Sequence, residues 1–169
     1  MIDEEKELTV LPLYSPVSGL LKPLEKLKDP VFSQKIVGDG IAIVPCDSRI
    51  YSPCDGYAAY IHEARHAMFI KTAYDFDVLL HVGIDTLELK GRGFDLHVRQ
   101  DEKIRRGQLL WEVDLAVLKS EGKPSDVIIC IPGFEGLKTV DLIAVGRKVE
   151  AVNDMILRCV FKREAGKYA

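Results

Sequence analysis

Two histidines fifteen residues apart, His66 in EARHAMFIKT and His81 in DVLLHVGIDTLELKGRGF, interrupt apolar runs that read as β-strands. A neutral imidazole nitrogen attacks an electrophile without first losing a proton. It can carry a phosphoryl group covalently, and a second imidazole can donate a hydrogen bond to that group. Other chemistries are poorly supplied. Zinc needs three or four ligands, and Asp85, the nearest carboxylate on the His81 face, lies ~13 Å along the strand. No H-E-x-x-H or H-x-H is present, and we expect no metal. A serine nucleophile in G-x-S-x-G is missing, and the pairs Gly38/Gly40 and Gly91/Gly93 are too short for a dinucleotide or P-loop fingerprint. No cofactor is expected.

Strand alternation puts Val78, Leu80, Val82 and Ile84 on one face, and Asp77, Leu79, His81, Gly83 and Asp85 on the other. His81 therefore stands off the main core face, beside Leu79 and a glycine that leaves space for the imidazole. Periodicity alone does not separate a surface or structural histidine from a reactive one. If residues 66 to 70 and 78 to 84 are antiparallel neighbours joined by TAYDFD, the two imidazoles meet across the pair. His62 and His97 form no comparable constellation and read as surface residues, with His62 at the pocket edge.

The elements that must hold these side chains are strands almost throughout. Runs such as GIAIVP, YAAYI, AMFIKTA, LWEVDL, DVIIC and MILRCVF, separated by Pro, Gly, Asp and Asn, predict an all-β chain. The expected architecture is an antiparallel β-sandwich or barrel with only short helical turns. One turn falls at DPVFSQKIV, with Asp29 as cap and Pro30 at the first helical position, and another at DLAVLKSEG, closed by Gly122. YSPVSG at residues 14 to 19 returns as YSPCDG at 51 to 56, and DEKIRRGQLL makes a further corner. The repeat predicts pseudo-symmetric hairpin corners. We read residues 1–169 as a single domain, with a loose N-terminal arm at 1–11 and a loose tail at 163–169.

Composition narrows the partners. A content of 47% hydrophobic residues suits one sizeable core, and 23 basic against 26 acidic residues leave no electrostatic footprint for nucleic acid. The N-terminus MIDEEKELTV is acidic, and no stretch approaches the ~20 apolar residues of a membrane span. The chain reads as cytoplasmic, with no direct membrane insertion. Cys46, Cys54, Cys130 and Cys159 show no C-x-x-C spacing and read as free, small core residues.

DPVFSQKIVGDGIAI (29 to 43), the YSPCDG corner, RHA (65 to 67), LLHVGIDTLELKGRGF (79 to 94) and RRGQLLWEVDL together carry a resemblance. They closely resemble the glucose-type IIA component of the bacterial phosphoenolpyruvate-dependent sugar phosphotransferase system, over roughly residues 12 to 119. The resemblance implies an antiparallel β-sandwich with a shallow apolar depression holding two histidines. It implies that His81 accepts a phosphoryl group from the phosphocarrier protein HPr and passes it to a cysteine of a IIB domain, while His66 hydrogen-bonds the phosphate. It further implies an apolar docking rim of Val31, Phe32, Ile36, Val37 and Leu79, with Asp29 and Asp85 at acidic positions that meet basic partner residues. For these two aspartates a helix cap and a turn are equally good readings. The chain departs from the family pattern at Ala64, often threonine, at Phe69, usually small, and at Gly133, where an acidic residue is common. A non-catalytic or regulatory member of the same fold that binds partner proteins through the two-histidine apolar patch is the alternative reading.

Overall fold

The computed structural model describes residues 7–143 and 146–163. The strands are β1 (Leu8–Tyr14), β2 (Gly19–Lys22), β3 (Gly38–Pro45), β4 (Arg49–Tyr51), β5 (Gly56–Ile61), β6 (Ala67–Thr72) and β7 (Asp77–Val82). They continue as β8 (Phe94–Leu96), β9 (Lys103–Ile104), β10 (Leu109–Val113), β11 (Val127–Pro132), β12 (Leu137–Leu142), β13 (Lys148–Val149) and β14 (Met155–Lys162). Two short helices, α1 (Pro30–Ser33) and α2 (Leu115–Ser120), begin where the sequence predicts. The Asp29 carboxylate accepts from the Val31 N–H and the Asp114 carboxylate from those of Ala116 and Val117.

Every pairing is antiparallel. The strands form one eight-stranded sheet, in the order β13-β2-β3-β11-β7-β6-β5-β9, and two three-stranded sheets, β1-β14-β12 and β4-β10-β8. The eight-stranded sheet turns one face to both smaller sheets, and the main core between them runs from Leu13 to Phe161 through Met68, Leu80, Trp111 and Ile129. Its other face carries a smaller apolar cluster. Central strand β11 is consequently covered on both sides, which is why VIICIP reads as a continuous apolar run instead of alternating.

The repeated corners are equivalent in detail. Ser15 Oγ donates to the Val17 carbonyl at 2.8 Å, and Ser52 Oγ to that of Cys54 at 2.7 Å. The corners also bond each other reciprocally, Tyr14 N–H to Pro53 O and Tyr51 N–H to Pro16 O. The equivalence continues outward: β13 pairs β2 as β9 pairs β5, with Val149 opposite Gly19 and Ile104 opposite Gly56. The large sheet is thus two matching halves meeting between β11 and β7.

One expectation fails. Residues 8 to 11, read as part of a loose arm, form the first half of β1 and pair with β14 from Leu8 opposite Lys162 onward. The ladder and the packing of Leu11 and Leu13 against the core order this segment. Residues 1–6 of the arm and 164–169 of the tail lie outside the described residues. Arg163, the first residue of the expected tail, donates to the Tyr74 hydroxyl at 3.2 Å.

Ser15→Ala and Ser52→Ala are each expected to lower the unfolding free energy by about 1 kcal/mol, because each removes one buried donor from a carbonyl. Urea denaturation of the two variants checks this, and a loss confined to one corner would contradict their equivalence.

Candidate functional site

β6 and β7 pair with Ala67 opposite His81 and Met68 opposite Leu80. Val78, Leu80 and Val82 enter the main core, and Leu79 belongs to the smaller cluster on the other face. His81 shares that second face. The connection between β2 and β3, residues 23–37, folds over it, and Leu24, Leu27 and Phe32 pack there with Ala42, Leu79, Ile84, Ile128 and Cys130.

Simple alternation ends at Gly83, which adopts φ +79°. Ile84, expected on the Leu80 face, joins Leu79 in the second cluster instead. A Cβ at Gly83 would lie 2.3 Å from Thr86 Cγ2 and 2.9 Å from the Pro124 carbonyl oxygen. This glycine therefore serves a close backbone turn and not the space beside the imidazole. Buried Thr86 ties the turn down, its hydroxyl donating to the Val82 carbonyl at 2.5 Å.

His66 is delivered by the turn ahead of β6, where Arg65 takes φ +62°. The indole N–H of buried Trp111 donates to the Arg65 carbonyl at 2.8 Å, and the Val82 N–H donates to the His66 carbonyl at 2.8 Å. The His66 and His81 rings meet edge to face, with centroids 4.9 Å apart. Phe32 flanks His81 at 4.8 Å, and His62 flanks His66 at 4.7 Å. His62, expected at the pocket edge, is half-buried and lies directly against His66. Its signal was the H-x-x-x-H spacing across a tight turn, which alternation along a straight strand does not register.

In both His66 and His81 the Nδ1 atom is buried without a hydrogen-bond partner, and the Nε2 atom is the nitrogen left open at the surface. Burial pushes the pKa of each down to about 4. Around His66 the His81 and His62 rings add to the depression. Around His81 the Gly83 backbone and the Asp29 charge oppose it, and His62 adds to it. Both imidazoles are neutral at pH 7.

Of the expected rim, Val31 and Ile36 are exposed, Val37 is half-buried, and Phe32 and Leu79 are buried as walls of the depression. Asp29 caps α1, whereas exposed Asp85 stands in the left-handed region at φ +57° with its carboxylate making no cap bond. Ala64 is buried and gives its N–H to His62 Nδ1 at 3.0 Å. Phe69 packs against the second cluster, and Gly133 is exposed with open space around it. A groove of about 550 Å³, lined by Glu63, Ala64, Leu87, Glu88 and Lys90, adjoins the turn that carries His66.

Thiol chemistry is not poised here. Burial pushes Cys54, Cys130 and Cys159 up to about 12, which keeps them protonated, whereas Cys46, expected in the core, is exposed just beyond the end of β3. Among the described residues the grouping with metal-ligand spacing is Asp95, His97 and Glu112, all exposed and on a different sheet. No helix of the described residues is long and apolar enough to cross a membrane.

Residues 11–135 match the family model described as phosphoenolpyruvate-dependent sugar phosphotransferase system, EIIA 1. The glucose-specific EIIA component of Oceanobacillus iheyensis is 32% identical, covering 93% of each chain. That of Haemophilus influenzae is 38% identical over 81% of this chain and 82% of its own. The glucose-specific EIICBA component of Streptococcus pneumoniae is 36% identical over 79% of this chain, which spans 18% of that longer protein. Among solved structures, the glucose permease IIA from Mycoplasma capricolum superposes with a TM-score of 0.81 at 30% identity, covering 89% of this chain and 96% of that one. With the paired imidazoles and the three-sheet fold, these matches lead to one conclusion: the chain belongs to the EIIA 1 family of the phosphoenolpyruvate-dependent sugar phosphotransferase system.

Proposed function

We propose that His81 Nε2 accepts the phosphoryl group from HPr and passes it to a cysteine of a IIB domain, while His66 donates a hydrogen bond to the phosphoryl oxygens. The observation that carries this reading is the edge-to-face pair of neutral imidazoles with buried Nδ1 and open Nε2 atoms. Attack from Nε2 uses that nitrogen's lone pair, so the proton of the reactive tautomer sits on Nδ1. A P–N bond forms at Nε2 as the donor's P–N bond breaks and its electron pair returns to the donor imidazole. In the onward step a thiolate forms the P–S bond, and the pair from the P–N bond returns to Nε2. A loose transfer of this kind gains from in-line positioning and electrostatics more than from further covalent help.

Exposed Val31 and Ile36, over buried Phe32 and Leu79, offer apolar ground on which the two partners dock in turn and exclude water. Asp85 and Asp29 face the partners' basic residues. The IIB partner is supported by relatives in which the corresponding segment is part of one EIICBA chain. The site of action is the cytoplasm, with recruitment to the inner face of the membrane through the permease.

Incubation with phosphoenolpyruvate, enzyme I and HPr should place an acid-labile phosphate on the native protein and none on His81→Ala. A native protein that takes no label would refute the reading. His66→Gln should still be phosphorylated but transfer onward to IIB roughly a hundredfold more slowly, the cost of losing one aimed donor; a rapid-quench time course measures it, and an unchanged rate would remove the role of His66.

Stability should also report the two histidines. Each binds its proton near pH 6.5 when unfolded and near pH 4 when folded, so between these values the unfolded chain holds more protons. Their contribution is complete above about pH 6.5 and is lost as pH falls toward 4. Urea midpoints should therefore drop over that window, and the drop should be smaller for the double variant His66→Gln/His81→Gln. Equal drops would show that burial does not hold these rings neutral.

A further inference from the structure

We propose that His62 is a positioning residue of this site, holding the His66 ring in its working orientation by edge contact from a backbone-anchored imidazole. The inference rests on the reading of His81 and His66 given above and extends it outward by one ring. An imidazole is ordinarily fixed in angle and tautomer by a hydrogen bond at the nitrogen that does not react. His66 has no such bond, because its Nδ1 is buried without a partner. Its orientation must come from the rings on either side.

Those rings form a column. Tyr60 meets His62 at 6.4 Å, His62 meets His66 at 4.7 Å, His66 meets His81 at 4.9 Å, and His81 meets Phe32 at 4.8 Å. The three contacts among Tyr60, His62, His66 and His81 are edge-to-face, and all four spacings lie in the range where aromatic pairs attract. Phe32 closes the inner end, buried in the second apolar cluster, whereas Tyr60 at the outer end is exposed. An exposed ring cannot brace the column, so the outer support falls to His62.

His62 is held by three hydrogen bonds. Its own N–H donates to the Ala67 carbonyl at 2.9 Å, its carbonyl accepts from the Arg65 N–H at 2.8 Å, and its Nδ1 accepts from the Ala64 N–H at 3.0 Å. The last bond fixes the tautomer. With the Nδ1 lone pair engaged, the ring proton lies on Nε2. His62 thus stands as a rigid wall against His66. Within the turn the imidazole plays the part that an aspartate or asparagine oxygen plays in an Asx-turn.

The test separates the ring from the acceptor. His62→Phe keeps a flat ring without the Nδ1 acceptor, and His62→Asn keeps an acceptor near the Nδ1 position without the ring. In nitrogen-15 spectra of the unphosphorylated protein, His62→Ala should broaden or average the His66 ring signals. Its onward transfer to IIB should slow roughly ten- to a hundredfold in kcat, with KM for IIB little changed, as a misaligned positioning group does. His62→Phe should restore both readouts and His62→Asn neither. Unchanged His66 signals and rate in His62→Ala, or restoration by His62→Asn with or without His62→Phe, would overturn the inference. If His62→Ala does not fold, the contrast between Phe and Asn decides alone. The ring signals need no phosphate, so a failure of His81 to accept the phosphoryl group would be seen separately from a failure of His62 to order His66.

Discussion

His81 reaches the surface only because β6 and β7 pair in one register, with Ala67 opposite His81 and Met68 opposite Leu80. A slip of one residue would turn the imidazole into the main core and Leu80 out of it. The register is held from the far side of the sheet, where Met68, Ile70, Val78, Leu80 and Val82 are fully buried. Exposing five such side chains forfeits on the order of 10 kcal/mol, comparable to the whole net stability of a domain. The position of a polar, reactive group is therefore enforced by apolar residues that never touch it.

The two matching halves of the large sheet make the site easier to understand, because the site lies where they stop matching. Through the paired registers of β3 with β11 and β6 with β7, Ile41 corresponds to Met68 and Ile129 to Leu80. His66 then corresponds to Asp39, and His81 to Cys130. The connections differ as well. In one half, residues 23–37 join β2 to β3 and build α1 with its apolar neighbours, whereas in the other a tight turn, residues 62–66, joins β5 to β6. The long connection folds across the shared face and supplies Phe32 against His81. The short one delivers His62 and His66. One half thus provides the wall and the other the imidazoles, and the central pair β11 and β7 brings them together.

Much of this was legible in the sequence, for physical reasons that differ by residue. Asp29 announces a helix because a carboxylate before a short run has orphan N–H groups to satisfy, and Asp114 turns out to do the same for α2. The YSPVSG and YSPCDG corners announce themselves through proline and a following glycine, although Gly19 and Gly56 are required by the close approach of the Val44 and Lys71 carbonyls and not by a positive φ. Alternation correctly took His81 off the main core. What it missed is instructive. Ile84 changes sides because Gly83 adopts a positive φ that no period of two can represent. Residues 8 to 11 looked unpatterned because their order comes from pairing with β14, more than 140 residues away. Leu79 and Phe32 looked like exposed rim residues because a single strand does not reveal that a distant connection covers its second face. His62 was placed at the pocket edge but not against His66, because its partners are the backbone of its own turn and the ring of His66, and only a folded turn brings these together.

Keeping His81 neutral has an electrostatic consequence. Burial lowers the proton affinity of both imidazoles, and Asp29 lies close enough to His81 to oppose that shift. On the proposed reading, a phosphoryl dianion on Nε2 stands beside neutral rings and an acidic helix cap, with a hydrogen bond from His66 in place of a full counter-charge. Such surroundings hold the group weakly, which suits a carrier that must give it up again. Positive charge then has to arrive with each partner, so stabilisation of the transferring group is present only while donor or acceptor is docked. On the same reading, exposed Val31 and Ile36 make that docking apolar and dry, which strengthens the partner's charges where they are used. A site so arranged would confine fast transfer to the complex and leave the free phosphorylated form with little help toward losing its phosphate to water.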